Sequence, residues 1–196
     1  LGYLSDTSWQ VNKRIHFEFH ENKDTLARSP HFVFVNQKAK LDTSKLQELQ
    51  KACEKQYDRV LTFLEAKDPQ LQLTYYLYPS TEMIGLQTKN TREAQIKLAE
   101  KEVHVVENPW WGGSSQHVES YFLLREILGK PAWSPLEKGL VTYLNDKWFD
   151  RGYTYWASKI YQAGYLPTLS QMQTEQWWEE SSDLFRALAA SALVDF

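Results

Sequence analysis

Between Asp42 and Leu64 the apolar residues Leu46, Leu49, Cys53, Tyr57, Val60, Leu61 and Leu64 recur at the spacing of one helical face, with strand-forming runs on either side. A long amphipathic helix must bury its stripe, and the flanking runs supply a surface for it. Asp42, Thr43 and Ser44 carry side-chain oxygens able to cap its first turn. Residues 31–35 and 71–78 read as strands before and after the helix, and residues 103–106 as a further short strand. This order predicts an α+β chain, with a small twisted, mostly N-terminal β-sheet carrying the long helix.

Residues 14–20, RIHFEFH, alternate strictly and read as one more strand. Alternation puts His16, Glu18 and His20 on one face and Phe17 and Phe19 on the other. Two imidazoles flanking a carboxylate have metal-ligand character, but a strand that buries its aromatics and exposes its polar residues needs no metal. His31 and His104, in other strands, are expected to be partly buried structural histidines. Residues 1–30 are set apart as an N-terminal segment with a strand, and residues 31–196 as the main domain.

After Tyr78, Pro79-Ser80 begins a short helix or turn, followed by the polar stretch 87–101. The remainder is a helical half. Its last helix starts at Ser181-Ser182-Asp183 and carries Leu184, Phe185, Leu188, Ala189, Ala192 and Leu193 at helical spacing. The pattern stops at Phe196 without Gly, Pro or a basic last turn, so the domain is expected to be truncated at its C-terminal end.

With 196 residues, 42% of them hydrophobic and 14% aromatic, the chain can bury a sizeable core. A net charge of −3 and the lack of a Lys/Arg cluster argue against nucleic acid as a partner. No apolar run approaches the roughly 18–20 residues that cross a bilayer, so no transmembrane segment is expected. Leu1 is followed by no charged start and apolar core of a signal peptide. Cys53, the single cysteine, rules out an internal disulfide and falls on the helix stripe, where a buried inert thiol is expected.

Residues 133–144, WSPLEKGLVTYL, resemble the glutamate helix of the gluzincin-like zinc metallopeptidases of the peptidase MA-like superfamily, whose usual form is Trp-Leu-x-Glu-Gly-Leu-Ala-x-Tyr-Leu. Residues 163–169, AGYLPTL, resemble the Gly-x-Leu-Pro-x-Leu turn that follows it. The resemblance spans roughly residues 32–196. It implies a zincin fold in which Glu137 stands where the third zinc ligand would be. The other two ligands and the general base belong to a His-Glu-x-x-His helix, two imidazoles one turn apart with the Glu acting on a metal-bound water.

That element is degenerate here. With His117 as the first ligand, Val118 stands for the base and Tyr121 for the second histidine. With His117 as the second ligand, Gly113 and Ser114 replace the first histidine and the base, and Glu137 follows 20 residues later, close to the family's usual gap. A tyrosine hydroxyl with a pKa near ~10 is a poor zinc ligand at neutral pH. Loss of the base alone would cost roughly 10²–10⁴-fold in rate. The expectation is a pseudoenzyme with no catalytic residues and no cofactor, in which His117 and Glu137 pair across two packed helices. The alternative is an active zinc-dependent hydrolase using His117, Glu137 and an unforeseen ligand such as His104 or Tyr121.

Two adjacent tryptophan pairs stand out, Trp110-Trp111 beside Gly112-Gly113 and Trp177-Trp178 before Glu179-Glu180. The first pair precedes the helix that should line the cleft and can wall a groove for a partner; in each pair one buried and one half-exposed ring is the plainer outcome. Trp148, Trp156, Tyr153, Tyr155 and Tyr161 read as core of the helical half, and Glu119 and Glu126 as helix surface. In active relatives an edge strand beside the zinc site pairs with an extended peptide, a function that can outlast the metal. The resemblance therefore implies a protein or peptide partner held in a vestigial cleft of His117, Tyr121, Glu137, Trp110 and Trp111. By family habit it also implies an exported bacterial protein, periplasmic, cell-surface or secreted.

Overall fold

The computed structural model describes residues 24–110, 112–145 and 151–194. The run 14–20 with His16, Glu18 and His20, together with Trp111 and Trp148, lies outside the described residues.

Five strands, β1 (Thr25–Arg28), β2 (Phe32–Asn36), β3 (Leu73–Tyr78), β4 (Ala94–Lys97) and β5 (Glu102–Val106), form one mixed sheet in the order β1-β2-β3-β5-β4. The central three run parallel, and β1 and β4 are antiparallel edges. Parallel neighbours need a crossover. The 22-residue helix α1 (Thr43–Leu64) supplies the one from β2 to β3; Asp42 caps it, accepting from the Lys45 amide at 2.7 Å. Helix α2 (Thr81–Thr88) lies on the way from β3 to β4 and β5, capped by Ser80.

Period-two alternation gives the sheet two apolar faces. Phe32, Phe34, Leu73, Tyr75, Leu77, Val103 and Val105 face the α1 stripe of Leu49, Cys53, Tyr57 and Val60. Helices α3 (Ser120–Leu128) and α4 (Ser134–Leu144) join this main core through Phe122, Leu123, Leu124, Val141 and Leu144. Val33, Val35, Tyr76, Tyr78 and Val106 face the other way, toward Met83 and Ile84 of α2.

The architecture is the α+β one expected, with two additions. β1 and β4 are not foreseen in the sequence reading, because each is four residues long and alternates over too few apolar positions to stand out. Ala94 and Ile96 pack on the main core, while Gln95 and Lys97 alternate with them. His31 lies just ahead of β2 rather than in it.

The helical half continues with α5 (Tyr153–Gln162), α6 (Leu169–Met172), α7 (Glu175–Glu180) and α8 (Asp183–Ala192). Helix α8 starts where the Ser181-Ser182-Asp183 signal places it, with Ser182 accepting from the Phe185 amide. It packs on α4 at Gly139, where a Cβ would come within 2.4 Å of the Ala190 carbonyl oxygen. A small second core of Met172, Ala189 and Ala190 is closed by Trp133, Leu166, Trp177, Trp178 and Leu193. Trp177 and Trp178 are both half-buried, rings 4.7 Å apart and edge to face. The expectation that the aromatics of α5 are core does not hold, since that helix buries no residue and Tyr161 is 72% exposed. Among the described residues no helix is long and apolar enough to cross a membrane.

Candidate functional site

His117 does not sit on a helix. Residues 113–116 form a single 3-10 turn, His117 ends it with φ +45°, and α3 begins only at Ser120. A His-x-x-x-His-type pair needs both side chains on one helical face, and in neither alignment are the positions matched to the two histidines carried on one α-helix. Tyr121 is on α3; His117 precedes it.

The imidazole is turned toward Glu119, with Nδ1 2.8 Å from Oε1. Tyr75, in the middle of β3, donates its hydroxyl proton to Oε2 of the same carboxylate at 2.6 Å, and the Cys53 thiol lies against that hydroxyl. Glu119 is fully buried, which corrects the helix-surface reading; Glu126, about two turns on, is exposed as expected. A buried carboxylate must be paired, and His117 and Tyr75 are its partners. Burial works against the imidazolium of His117, but the Glu119 carboxylate outweighs burial and the more distant Arg59, so its pKa is raised. Burial first and Glu119 second push Cys53 and Tyr75 well up, leaving the thiol protonated and inert.

Glu137 is on α4 as the resemblance requires, but its partner is Arg125 of α3. The guanidinium grips the carboxylate with both arms, Nε to Oε1 at 2.6 Å and Nη2 to Oε2 at 2.9 Å. Bidentate geometry of this kind occupies both oxygens and is among the stronger polar contacts in proteins. The expected pairing of His117 with Glu137 is therefore not formed, because each has a nearer partner of its own.

The two residues also open on different cavities. Glu137 lines a groove of about 260 Å³ with Tyr121, Pro135, Lys138, Trp178 and Arg186. His117 lines one of about 270 Å³ on the α1 side, with Lys45, Cys53, Glu107, Gly112 and Ser114 among its walls. His104 is on the opposite face of the sheet, its ring 4.9 Å from that of Tyr76 and its nitrogens held by Tyr78 at 2.9 Å and Glu102 at 3.1 Å. It cannot complete a ligand set with His117. Trp110, at the tip of the loop closed by the Glu107–Gly112 bridge, is 93% exposed.

Zinc held by His117 and Glu137 does not fit this arrangement. A guanidinium already neutralises Glu137, and the two residues do not converge. Among the described residues no three His, Cys, Asp or Glu side chains come together as a metal ion requires. The residues missed by the sequence reading are Glu107, Arg125 and Lys45. Of these, Arg125 alone carries a signal in the sequence, as a cation on the helix preceding Glu137.

Comparison of the sequence with protein-family models and with characterised proteins returned no match.

Proposed function

We propose that this chain is a gluzincin-like metallopeptidase domain without hydrolytic activity, which holds a protein or peptide partner in place of a substrate. One observation carries the reading: Arg125 engages both oxygens of Glu137, so a permanent cation of the protein's own stands where the resemblance calls for a metal. The guanidinium stays charged at any physiological pH and needs no cofactor. Glu119, the carboxylate nearest His117 in sequence, is held by His117 and Tyr75 and does not stand in for the missing general base.

Two features support peptide holding. Strand β4 is a sheet edge, with β5 on one side and no strand on the other among the described residues. Its free backbone groups can pair with an extended chain whatever its side chains. Trp110, almost wholly exposed on a loop anchored by Glu107, offers a large ring to a partner at little entropic cost. Location outside the cytoplasm belongs to the same proposal and rests on the resemblance.

The test is the zinc content of purified protein by elemental mass spectrometry, beside His117→Ala and Glu137→Ala. The expected result is no stoichiometric zinc in any of the three. About one zinc per chain, lost in both variants, would overturn the proposal and call for a screen of peptide substrates.

A further inference from the structure

The cavity on the α1 side contains a carboxylate that the resemblance does not account for. Glu107, the first residue after β5, is 3% exposed, yet its side chain forms part of the cavity wall. Its two oxygens are unequally served. Oε2 accepts from the Ser114 hydroxyl at 2.8 Å and more weakly from the Ser114 amide at 3.4 Å. Among the described residues Oε1 meets the Lys45 ammonium at 3.6 Å, a longer contact than those of Oε2, and that ammonium also donates to the Asn108 carbonyl. Burial raises the pKa of Glu107, against the pull of Ser114 and Lys45. The less well-served oxygen of a carboxylate in so buried a side chain gains from a further donor.

The surroundings narrow the chemistry of that donor. Among the described residues of the lining, Glu107 and the exposed Glu48 set two carboxylates beside the Lys45 ammonium and the His117 imidazole, whose own partner is Glu119, and Ser114 and Ser115 add hydroxyl groups. Gly112 leaves the space beside Oε1 open, for a Cβ there would lie 2.9 Å from that oxygen. An opening of about 270 Å³ accommodates a short alkyl chain ending in a compact charged head. A primary ammonium has three donors on one tetrahedral centre, able to reach a carboxylate and neighbouring hydroxyls together.

We infer that this cavity binds a primary ammonium group through Glu107, with Ser114 and Ser115 as neighbours. The source is either a lysine side chain or the amino terminus of a peptide. The choice between these two sources rests on the peptide-holding proposal; the recognition of the ammonium does not.

The inference is tested on the full chain by amide NMR titration with three probes: N-acetyl-lysine amide, alanyl-alanine amide with a free amino terminus, and N-acetyl-norleucine amide. Saturable shifts at Ser114 and Ser115 are expected with at least one of the first two and not with the norleucine control. The responding probe identifies the source. Glu107→Gln keeps an acceptor for Ser114 and should weaken binding by at least about tenfold, the loss of one charge-assisted contact. Lys45→Met removes the resident cation and should tighten it, a direction that mere loosening of the loop would not produce. Equal shifts with norleucine, no saturable shift with any probe, or affinity unchanged in Glu107→Gln would overturn the inference. Extended peptides that bind equally well when N-acetylated and lysine-free would leave the peptide proposal standing and this one refuted.

Discussion

The sheet half and the helical half of this molecule are stabilised in different ways. In the first, β3 is buried along nearly its whole length and flanked by parallel neighbours, with α1 on one face and α2 on the other. In the second, α5 has no fully buried residue, α6 and α7 are one or two turns long, and the packing depends on α8 against α4 through glycine and alanine. A core built from large side chains spreads its stability over many dispersion contacts. A contact built from small ones concentrates it in backbone approach, where a single methyl group matters. The candidate sites lie along the join, His117 toward the sheet and Glu137 toward the helices.

The sharpest test of this contrast is truncation of a large ring on each side. Phe34 is fully buried, with its ring centroid 5.5 Å from that of Tyr75 and 6.1 Å from that of Phe32. Phe34→Ala should cost about 3–5 kcal/mol, the usual range for deleting a core aromatic. Tyr161→Ala, at an exposed site, should stay within about 0.5 kcal/mol. Urea unfolding of the two variants measures both; similar losses would show that α5 is held far more tightly than its exposure implies.

Addition of one methyl group tests the other side. A Cβ at residue 139 would meet the Ala190 carbonyl oxygen at 2.4 Å and its Cβ at 3.2 Å. Backbone cannot yield as a flexible side chain does, so Gly139→Ala should cost about 2–3 kcal/mol as overpacking despite alanine's better helix propensity. The loss should be local. Hydrogen exchange should speed up in α4 and α8 while β2 and β3 stay protected, and uniform loss of protection would mean that the halves unfold as one unit.

The contrast also separates what could be read in the sequence from what could not. Helix α1 and the strands β2, β3 and β5 announce themselves because burial on one or two faces imposes a period on many consecutive residues, and the α8 start is marked by Ser182. β1 and β4 have too few residues to carry a period. At the candidate site the sequence order was informative and the partners were not. Glu137 is on the helix expected, but nothing local indicates that Arg125 reaches it from α3. Glu119 read as surface because charge is usually solvated, and what buries it is Tyr75, 44 residues away in a strand. The spacing from His117 to Tyr121 suggested one helical face, whereas the left-handed backbone at His117 ends the preceding turn and keeps it off α3. Partner choice across distant segments is set by packing, which the local pattern does not encode.

The smallest effect expected is a pH dependence confined to the sheet half. His31 stacks on Tyr57 with ring centroids 3.7 Å apart, and its nitrogens meet Glu54 at 2.6 Å and Asp68 at 3.1 Å, tying the start of β2 to α1 and to the approach to β3. Burial opposes the imidazolium, but the two carboxylates outweigh it and the pKa of His31 is raised. Burial, the largest single influence, raises Glu54 and Asp68, but their hydrogen bonds together outweigh it and hold both below their ordinary values, with His31 a donor to both. A raised histidine contributes stability that is fully present below its unfolded value of about 6.5 and is lost as pH rises through its folded value. The lowered carboxylates contribute above their unfolded values of about 4 and lose that contribution as pH falls through their folded ones. His117, raised by Glu119, and Glu107, raised by burial, add losses of the same sign as pH rises. Thermal stability should therefore be greatest between about pH 4.5 and 6.5 and decline toward pH 8.5. His31→Gln should flatten part of that decline, leaving the share due to His117 and Glu107. A variant that declines as steeply as the parent would assign the effect to His117 and Glu107 and remove His31 from the account of how the sheet half is held.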